Sequence, residues 1–443
     1  MNSTLQQLAT DVVEMGLAAG ATAVEVSADQ STHTELEVRN GAIENLQQAG
    51  SRGLSIRVWK GDHSASTYTT DTSPAAIRAL LNDTLALAPY TDAVPEQALP
   101  NREWLATEFP DFDQYDHSMA ELTPEQRLSR VREAEEAALS FDSRITTSGG
   151  ASWFDAAGEH VLANSLGFVH RVLRTSAQMA VQVIADDADW KKRNGAWHSG
   201  ACHLADLQDA ASVGRRAAEK ALHQLGAGPV PTRKIPVVFD PYMAGALLGT
   251  LIGCMRGSAV ERRSSYLLDS MGKSIASPLL TVVDDPTLLR RSGSRACDSE
   301  GVVSRRTPLI QEGVLQTWLL GTYSARKLGL LPTGHGSGES VASLLVQQGE
   351  HSVEDLIGSI EYGLFVESMM GFGFNAVTGD FSRGASGRLI ENGKLTRAVS
   401  EVTLSANFTD LFARIDGLAN DAPRDRAVQC PSMRVAEMTL AGS

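Results

Sequence analysis

Residues Gly371–Asn407 read GFGFNAVTGDFSRGASGRLIENGKLTRAVSEVTLSAN, and the fold turns on how they are understood. Gly371, Gly373, Gly379, Gly384, Gly387 and Gly393 are interleaved with Phe372, Phe374, Phe381 and Leu389. A linker would lack those large apolar side chains. The segment therefore reads as short strands and tight turns, with backbone in positive φ or passing close to another segment. Its end, from Val399, alternates like a half-buried strand.

Upstream, Gly226-Ala-Gly-Pro-Val-Pro-Thr232 marks a boundary. Beyond it we expect a strand over Ile235–Phe239, an apolar helix over Met243–Met255 and many short strands. Brief helices are expected near Thr322–Leu328, Val353–Ser359 and Asn407–Phe412, and a terminal strand over Val435–Ala441. Before the boundary, Leu5–Ala19 has helical spacing. Strands follow over Ala23–Ala28, Thr32–Arg39, Ile43–Gln48, Leu54–Trp59 and His63–Thr70, with hairpin turns at Asn40-Gly41 and Lys60-Gly61-Asp62. Ser73-Pro74 opens a helix to Leu87. Residues Ala88–Leu122, rich in Pro and Asp, read as a long surface connection. Thr123-Pro124-Glu125-Gln126 is a capping box. Strands Thr146–Phe154, His160–Asn164 and Val169–Val183 and a helix Leu204–Leu225 complete a second helix–strands–helix unit. The expected fold class is α+β in two domains. Residues 1–225 hold two such units (about 1–87 and 123–225), and 226–443 form a mostly antiparallel barrel or sandwich with peripheral helices.

A 443-residue chain with 42% hydrophobic and 21% charged residues is an ordinary globular protein. Its net charge of −14 argues against a nucleic-acid partner. The pairs Arg262-Arg263, Arg290-Arg291 and Arg305-Arg306 read as solvated surface. Cys202, Cys254, Cys297 and Cys430 lie far apart without a CxxC pair, which fits reduced thiols in a cytoplasmic protein. The N-terminus lacks a basic region and a long apolar core. The apolar run Ala244–Met255 is about half a membrane span, so no membrane role is expected.

NAVTGDFSRGASG (Asn375–Gly387), IENGKL (Ile390–Leu395) and VSEVTLSAN (Val399–Asn407) closely resemble the C-terminal signature of the TldD/PmbA family, also described as modulators of DNA gyrase. In its catalytic branch the resemblance implies a helix with HExxxH, carrying two metal-binding histidines and a general-base glutamate. Here the corresponding positions are Gly249, Thr250 and Cys254. Glycine offers no ligand atom, and threonine is no carboxylate base. Residues five apart do not share a face of a regular α-helix, so that spacing calls for a local distortion such as a π-bulge. Gly249 and Gly253 are compatible with one. Cys254 reads as a small buried thiol rather than a relic ligand. Cys430 sits at the edge of a segment that the catalytic branch retains and this chain lacks, and its role stays open. The sequence therefore resembles the PmbA (TldE) branch without HExxxH.

The resemblance implies a non-catalytic subunit of a heterodimeric metallopeptidase acting on unfolded peptides, in peptide maturation and antitoxin degradation. The divalent, zinc-type metal and the base would come from a TldD-like, HExxxH-bearing partner; no metal is expected in this chain. A homodimer of the isolated chain is left open. A regulatory protein of the gyrase-modulator type, acting through protein contacts, and a stand-alone metallopeptidase with unrecognised ligands are the alternatives.

Asn375, Thr378, Gly379, Asp380, Ser386 and Gly387 are the candidates for a peptide groove, against the simpler reading that Asn and Asp stabilise turns. Cys202-His203 has no second ligand pair nearby, so an ordinary surface histidine is expected. Gly371–Ala376 mimics GxGxxA but opens no helix. Gly334–Ser340 reads as a mobile surface loop, and Asp284-Asp285-Pro286 as a turn.

Overall fold

The computed structural model describes residues 4–442. The first half comprises α1 (Leu5–Ala18), β1 (Ala23–Arg39), β2 (Ala42–Lys60), β3 (His63–Thr69), α2 (Pro74–Leu87), α3 (Pro124–Leu139), β4 (Ile145–Asn164), β5 (Val169–Asp186), β6 (Lys192–Ala201) and α4 (Ala210–Leu222). Next come β7 (Arg233–Phe239), α5 (Pro241–Gly253), α6 (Gly257–Glu261), β8 (Val282–Asp284), β9 (Thr307–Gln311), β10 (Val314–Leu315), α7 (Thr322–Leu328) and β11 (Leu344–Val346). The chain ends with α8 (Val353–Gly358), β12 (Tyr362–Met370), β13 (Asp380–Glu391), β14 (Lys394–Asn407), α9 (Phe408–Ala413), β15 (Ile415–Leu418), β16 (Val428–Gln429) and β17 (Met433–Ala441). The chain is α+β, as its patterning implies.

Local chemistry sets the boundaries. Ser73 caps α2 ahead of Pro74, and Thr123 and Gln126 form both halves of the capping box on α3. Asn40 and Gly41 both take positive φ (52° and 74°), which turns β1 into β2 as a type I′ hairpin. Asn392 and Gly393 do the same between β13 and β14.

Two three-strand meanders, each flanked by two helices, join through β1 and β4 into one sheet of order β3-β2-β1-β4-β5-β6. Val24, Val26, Ala28, Leu36 and Val38 of β1 share one face, since strand side chains alternate, and all lie in the helix-covered cores. The opposite face presents Glu25, Glu35 and Glu37.

Several strands expected in pieces are continuous. Ala23–Ala28 and Thr32–Arg39 are both in β1, Ile43–Gln48 and Leu54–Trp59 in β2, and Thr146–Phe154 and His160–Asn164 in β4. The polar residues Asp29–Ser31 interrupt the apolar alternation, but β2 pairs with them on one side and β4 on the other. Strand β6 was not expected at all. Its polar, glycine-bearing sequence has weak strand propensity, and α4 packs so closely that a Cβ on Gly195 would lie 2.1 Å from the Ala217 carbonyl oxygen. The helix expected over Leu204–Leu225 is only α4, because Asp209 caps it by accepting from the Ser212 amide.

In the second half β14-β13-β12-β7-β17 close on themselves through β14–β17, where Thr403, Leu404 and Ser405 pair with Ala441, Leu440 and Thr439. The result is a five-stranded barrel with one parallel pairing, β7–β12. A smaller sheet, β10-β9-β8-β11-β16, lies beside it. The glycine-rich stretch forms strands of 12 and 14 residues, not short ones. A Cβ on Gly387 would sit 1.9 Å from the Phe365 carbonyl oxygen, so this glycine permits close strand contact rather than a turn.

The loop Gly334–Ser340 is also anchored, not a mobile surface segment. His335 and Glu339 are 3% and 4% exposed, and Glu339 accepts from the amide and hydroxyl of Ser258. His335 Nε2 lies 3.2 Å from Asp284 Oδ2. Asp284 also accepts the amides of Ala342 and Ser343 in β-structure, whereas Asp285 makes the expected turn with Thr287. His203, expected at the surface, is buried with Nε2 2.8 Å from the Asp113 carbonyl oxygen.

Candidate functional site

Helix α5 begins at Asp240, whose Oδ1 accepts from the Met243 amide at 2.7 Å. Its buried face, including Leu247, Leu248, Leu251 and Ile252, enters the largest core. Gly249 is on the exposed face, and a Cβ there would meet nothing within 4 Å. Thr250 donates its hydroxyl back to the Ala246 carbonyl at 3.0 Å. The helix is regular to Gly253 and shows no π-bulge; Cys254 is its C-cap and is 2% exposed. Burial pushes the Cys254 thiol up to about 11. A zinc-type ion needs about three donors with an open position. This set provides none at Gly249, a committed hydroxyl at Thr250 and a protonated thiol turned inward, so it does not fit such an ion. Among the described residues no group of three His, Cys, Asp or Glu side chains could hold a metal. Cys430, 1% exposed with its thiol raised to about 12 by burial, lies against α5 near Gly245.

The six groove candidates fall in two places. Asn375, Thr378, Gly379 and Asp380 form a turn that leads into β13. Asn375 Oδ1 accepts from the Val377 amide, Thr378 donates to Asp380 Oδ2 at 2.6 Å, and the Gly379 amide donates to the Asn375 carbonyl. Asn407, the cap of α9, donates to Asp380 Oδ1 at 3.1 Å. Hydrogen bonds from Thr378 and then Asn407 hold the Asp380 carboxyl below its usual range. These polar groups are occupied with one another.

Ser386 and Gly387 instead line a cleft of about 310 Å³ between the first sheet and the barrel. Its wall on one side is β6 and α4, with Trp197, His198, Lys220 and His223; on the other stand Tyr242 of α5, Glu367 of β12 and Arg426. Glu367 is placed by a β-bulge between Val366 and Ser368. Its Oε1 lies 3.4 Å from His223 Nδ1 and accepts from Arg388 at 3.2 Å. Burial works to raise the Glu367 carboxyl, but His223 and Arg388 outweigh it and leave it lowered and ionised. Asp240, 4.0 Å from Lys220 Nζ, is pushed up to about 6, chiefly by burial.

Trp197 and Tyr242 meet edge to face at 5.0 Å, with Arg426 over both rings at 5.5 and 5.3 Å. Burial and then the Arg426 charge lower the His198 value, so His198 is neutral near pH 7. The cleft thus combines aromatic surface, cations and one fixed carboxylate. Such a set of groups is suited to recognising a ligand.

Sequence reasoning did not find Trp197, His198, Lys220, His223, Tyr242, Glu367 or Arg426. They come from five separated segments, two of them on the unexpected strand β6. The bulge at Glu367 leaves no mark in the strand pattern.

Three family models match in succession: PmbA/TldA metallopeptidase domain 1 over residues 24–88, the central domain over 118–225 and the C-terminal domain over 232–442. The chain is 36% identical over 418 residues to the metalloprotease PmbA of Escherichia coli O157:H7, covering 94% of this chain and 92% of that one. It is 31% identical over 440 residues to the PmbA homolog of Haemophilus influenzae, covering 99% and 96%. A solved structure from Bacteroides thetaiotaomicron, described as a candidate modulator of DNA gyrase, superposes with a TM-score of 0.94 at 28% identity over 99% of both chains. TldE from Thermococcus kodakarensis shares the fold, with a TM-score of 0.87 at 20% identity over 98% of this chain and 100% of that one. No helix among the described residues is long and apolar enough to cross a membrane. With matches along nearly its whole length, the chain belongs to the PmbA/TldD metallopeptidase family.

Proposed function

We propose that this chain is the non-catalytic, peptide-holding subunit of a heterodimeric, PmbA/TldE-like metallopeptidase. A TldD-like partner bearing HExxxH supplies the metal and the general base, and unfolded peptides are the substrates. The observation that supports this reading is on α5, where Gly249 faces open space, Thr250 donates to the Ala246 carbonyl and Cys254 is buried, at the positions that the family resemblance gives to two histidines and a glutamate. The polar cleft around Glu367, His223, Ser386 and Gly387 supports a holding role, because it offers recognition groups. The same reading makes the protein cytoplasmic, where its thiols stay reduced.

The test is peptide cleavage by this chain alone, by an HExxxH-bearing partner alone and by their mixture, with zinc measured in each purified chain. Cleavage by the mixture, with zinc bound only to the partner, is the expected result. Chelator-sensitive cleavage by this chain alone would overturn the assignment.

A further inference from the structure

We propose that a second cleft, adjoining the first through His198 and Arg426, is a carboxylate subsite for the peptides this subunit holds; the inference rests on the peptide-holding reading. This cleft, also of about 310 Å³, lies between β5 and β6 on one side and the segments carrying Arg290–Gly293 and Asp425–Ala427 on the other. In a chain of net charge −14, three arginines are among its lining residues: Arg290, Arg291 and Arg426.

They are not equally occupied. Arg290 Nε donates to Asp113 at 2.6 Å. Arg426 donates to the His198 carbonyl at 2.8 Å and to the His198 ring nitrogen Nε2, while its Nε is buried without a partner. Arg291 is half-buried, and its carbonyl accepts from Gln114 and from the Ser294 amide. Among the described residues its guanidinium has neither an ion pair nor a hydrogen bond. Ser343, 1% exposed, also lines the cleft, and its Oγ lacks a partner. The lining carboxylate, Asp425, accepts from Gln208 at 3.1 Å.

The frame is rigid. A Cβ on Gly293 would lie 2.1 Å from the Ala342 carbonyl oxygen, so the arginine-bearing segment is pressed onto the one carrying Ser343. A planar carboxylate suits paired guanidinium donors and a hydroxyl. The volume suits one such group beside Ala177 and Ala201 rather than a nucleic-acid backbone, which needs a long basic surface. A chain lying in the first cleft reaches this one past His198, so the ligand is the terminal or side-chain carboxylate of an extended peptide.

Fluorescence anisotropy on the full chain tests this with a labelled, short Gly/Ser/Ala peptide in three forms: free acid, C-terminal amide, and amide with one internal Glu. The free acid is expected to bind about tenfold more tightly than the plain amide. Arg291→Gln is expected to abolish that difference. Ser343→Ala, which removes only an unpaired hydroxyl, is expected to reduce it severalfold. If the Glu-bearing amide matches the free acid, a side-chain carboxylate fills the same subsite; if it matches the plain amide, the terminal carboxylate is selected. Equal binding of acid and amide to the wild-type chain overturns the subsite and leaves peptide holding intact. Failure of every peptide to bind overturns peptide holding and the subsite together.

Discussion

Gly249 faces open space on α5, whereas Cys254, five residues on, caps the same helix with its thiol in the core. Two donors at these positions cannot converge on one ion without rebuilding the end of the helix. The triple variant Gly249→His, Thr250→Glu, Cys254→His is therefore expected to lose stability and to bind no stoichiometric zinc. Metal analysis and thermal melting check this. Gly249→Ala alone is expected to stabilise the chain by about 0.5–1 kcal/mol, because a helical glycine with free space around it carries only an entropic cost.

Arg127 and Asp155 form a bidentate pair at 2.5 and 3.0 Å, with each side chain 9% exposed, and Trp153 Nε1 donates to the same carboxylate at 2.6 Å. Removing one partner strands a buried charge. Asp155→Ala is expected to cost about 3–5 kcal/mol in a denaturant titration, far more than Asp142→Ala at the surface pair with Arg144.

Glu25, on the face of β1 opposite Val24 and Val26, is pushed up from 4.5 to about 7, first by burial and then by Glu300. The native chain thus keeps a proton that the unfolded chain has already lost between these values, and stability falls as pH rises through that window. Glu25→Gln removes the penalty. Melting across the range from about pH 5 to pH 8 is expected to show the variant gaining on the wild type as pH rises, by about 1 kcal/mol or more.

Glu367 has the opposite sign, since its carboxyl is lowered in the native state. Its contribution is present above the unfolded value of 4.5 and is lost as pH falls through the lower native one. Glu367→Gln is expected to destabilise the chain at neutral pH, with the deficit shrinking on acidification. A pH series of melting curves checks the crossover.

The sequence disclosed most elements whose ends carry their own chemistry. Ser73-Pro74, Thr123 with Gln126 and Asn40-Gly41 announced α2, α3 and the first hairpin because caps and turns are local. Continuity of β1, β2 and β4 was hidden, since it depends on partners far along the chain. The helix positions at Gly249, Thr250 and Cys254 were legible as residue types, and so was the burial of the Cys254 thiol, but the regular helix up to Gly253 was not. Ser386 and Gly387 were found with a turn to which they do not belong in space. The surrounding cleft required β6, the Glu367 bulge and the approach of Arg426 to Trp197, none of which leaves a periodic trace.

The barrel described above has a consequence for how the molecule matures. Strand β17 follows all its neighbours in chain order, yet it is wedged between β7 and β15 and also seals the ring against β14. On a ribosome, the edges of β7 and β14 that β17 covers must stay open until those residues emerge. The first sheet, complete by Ala201, has no such dependence and can assemble while the rest is still being made.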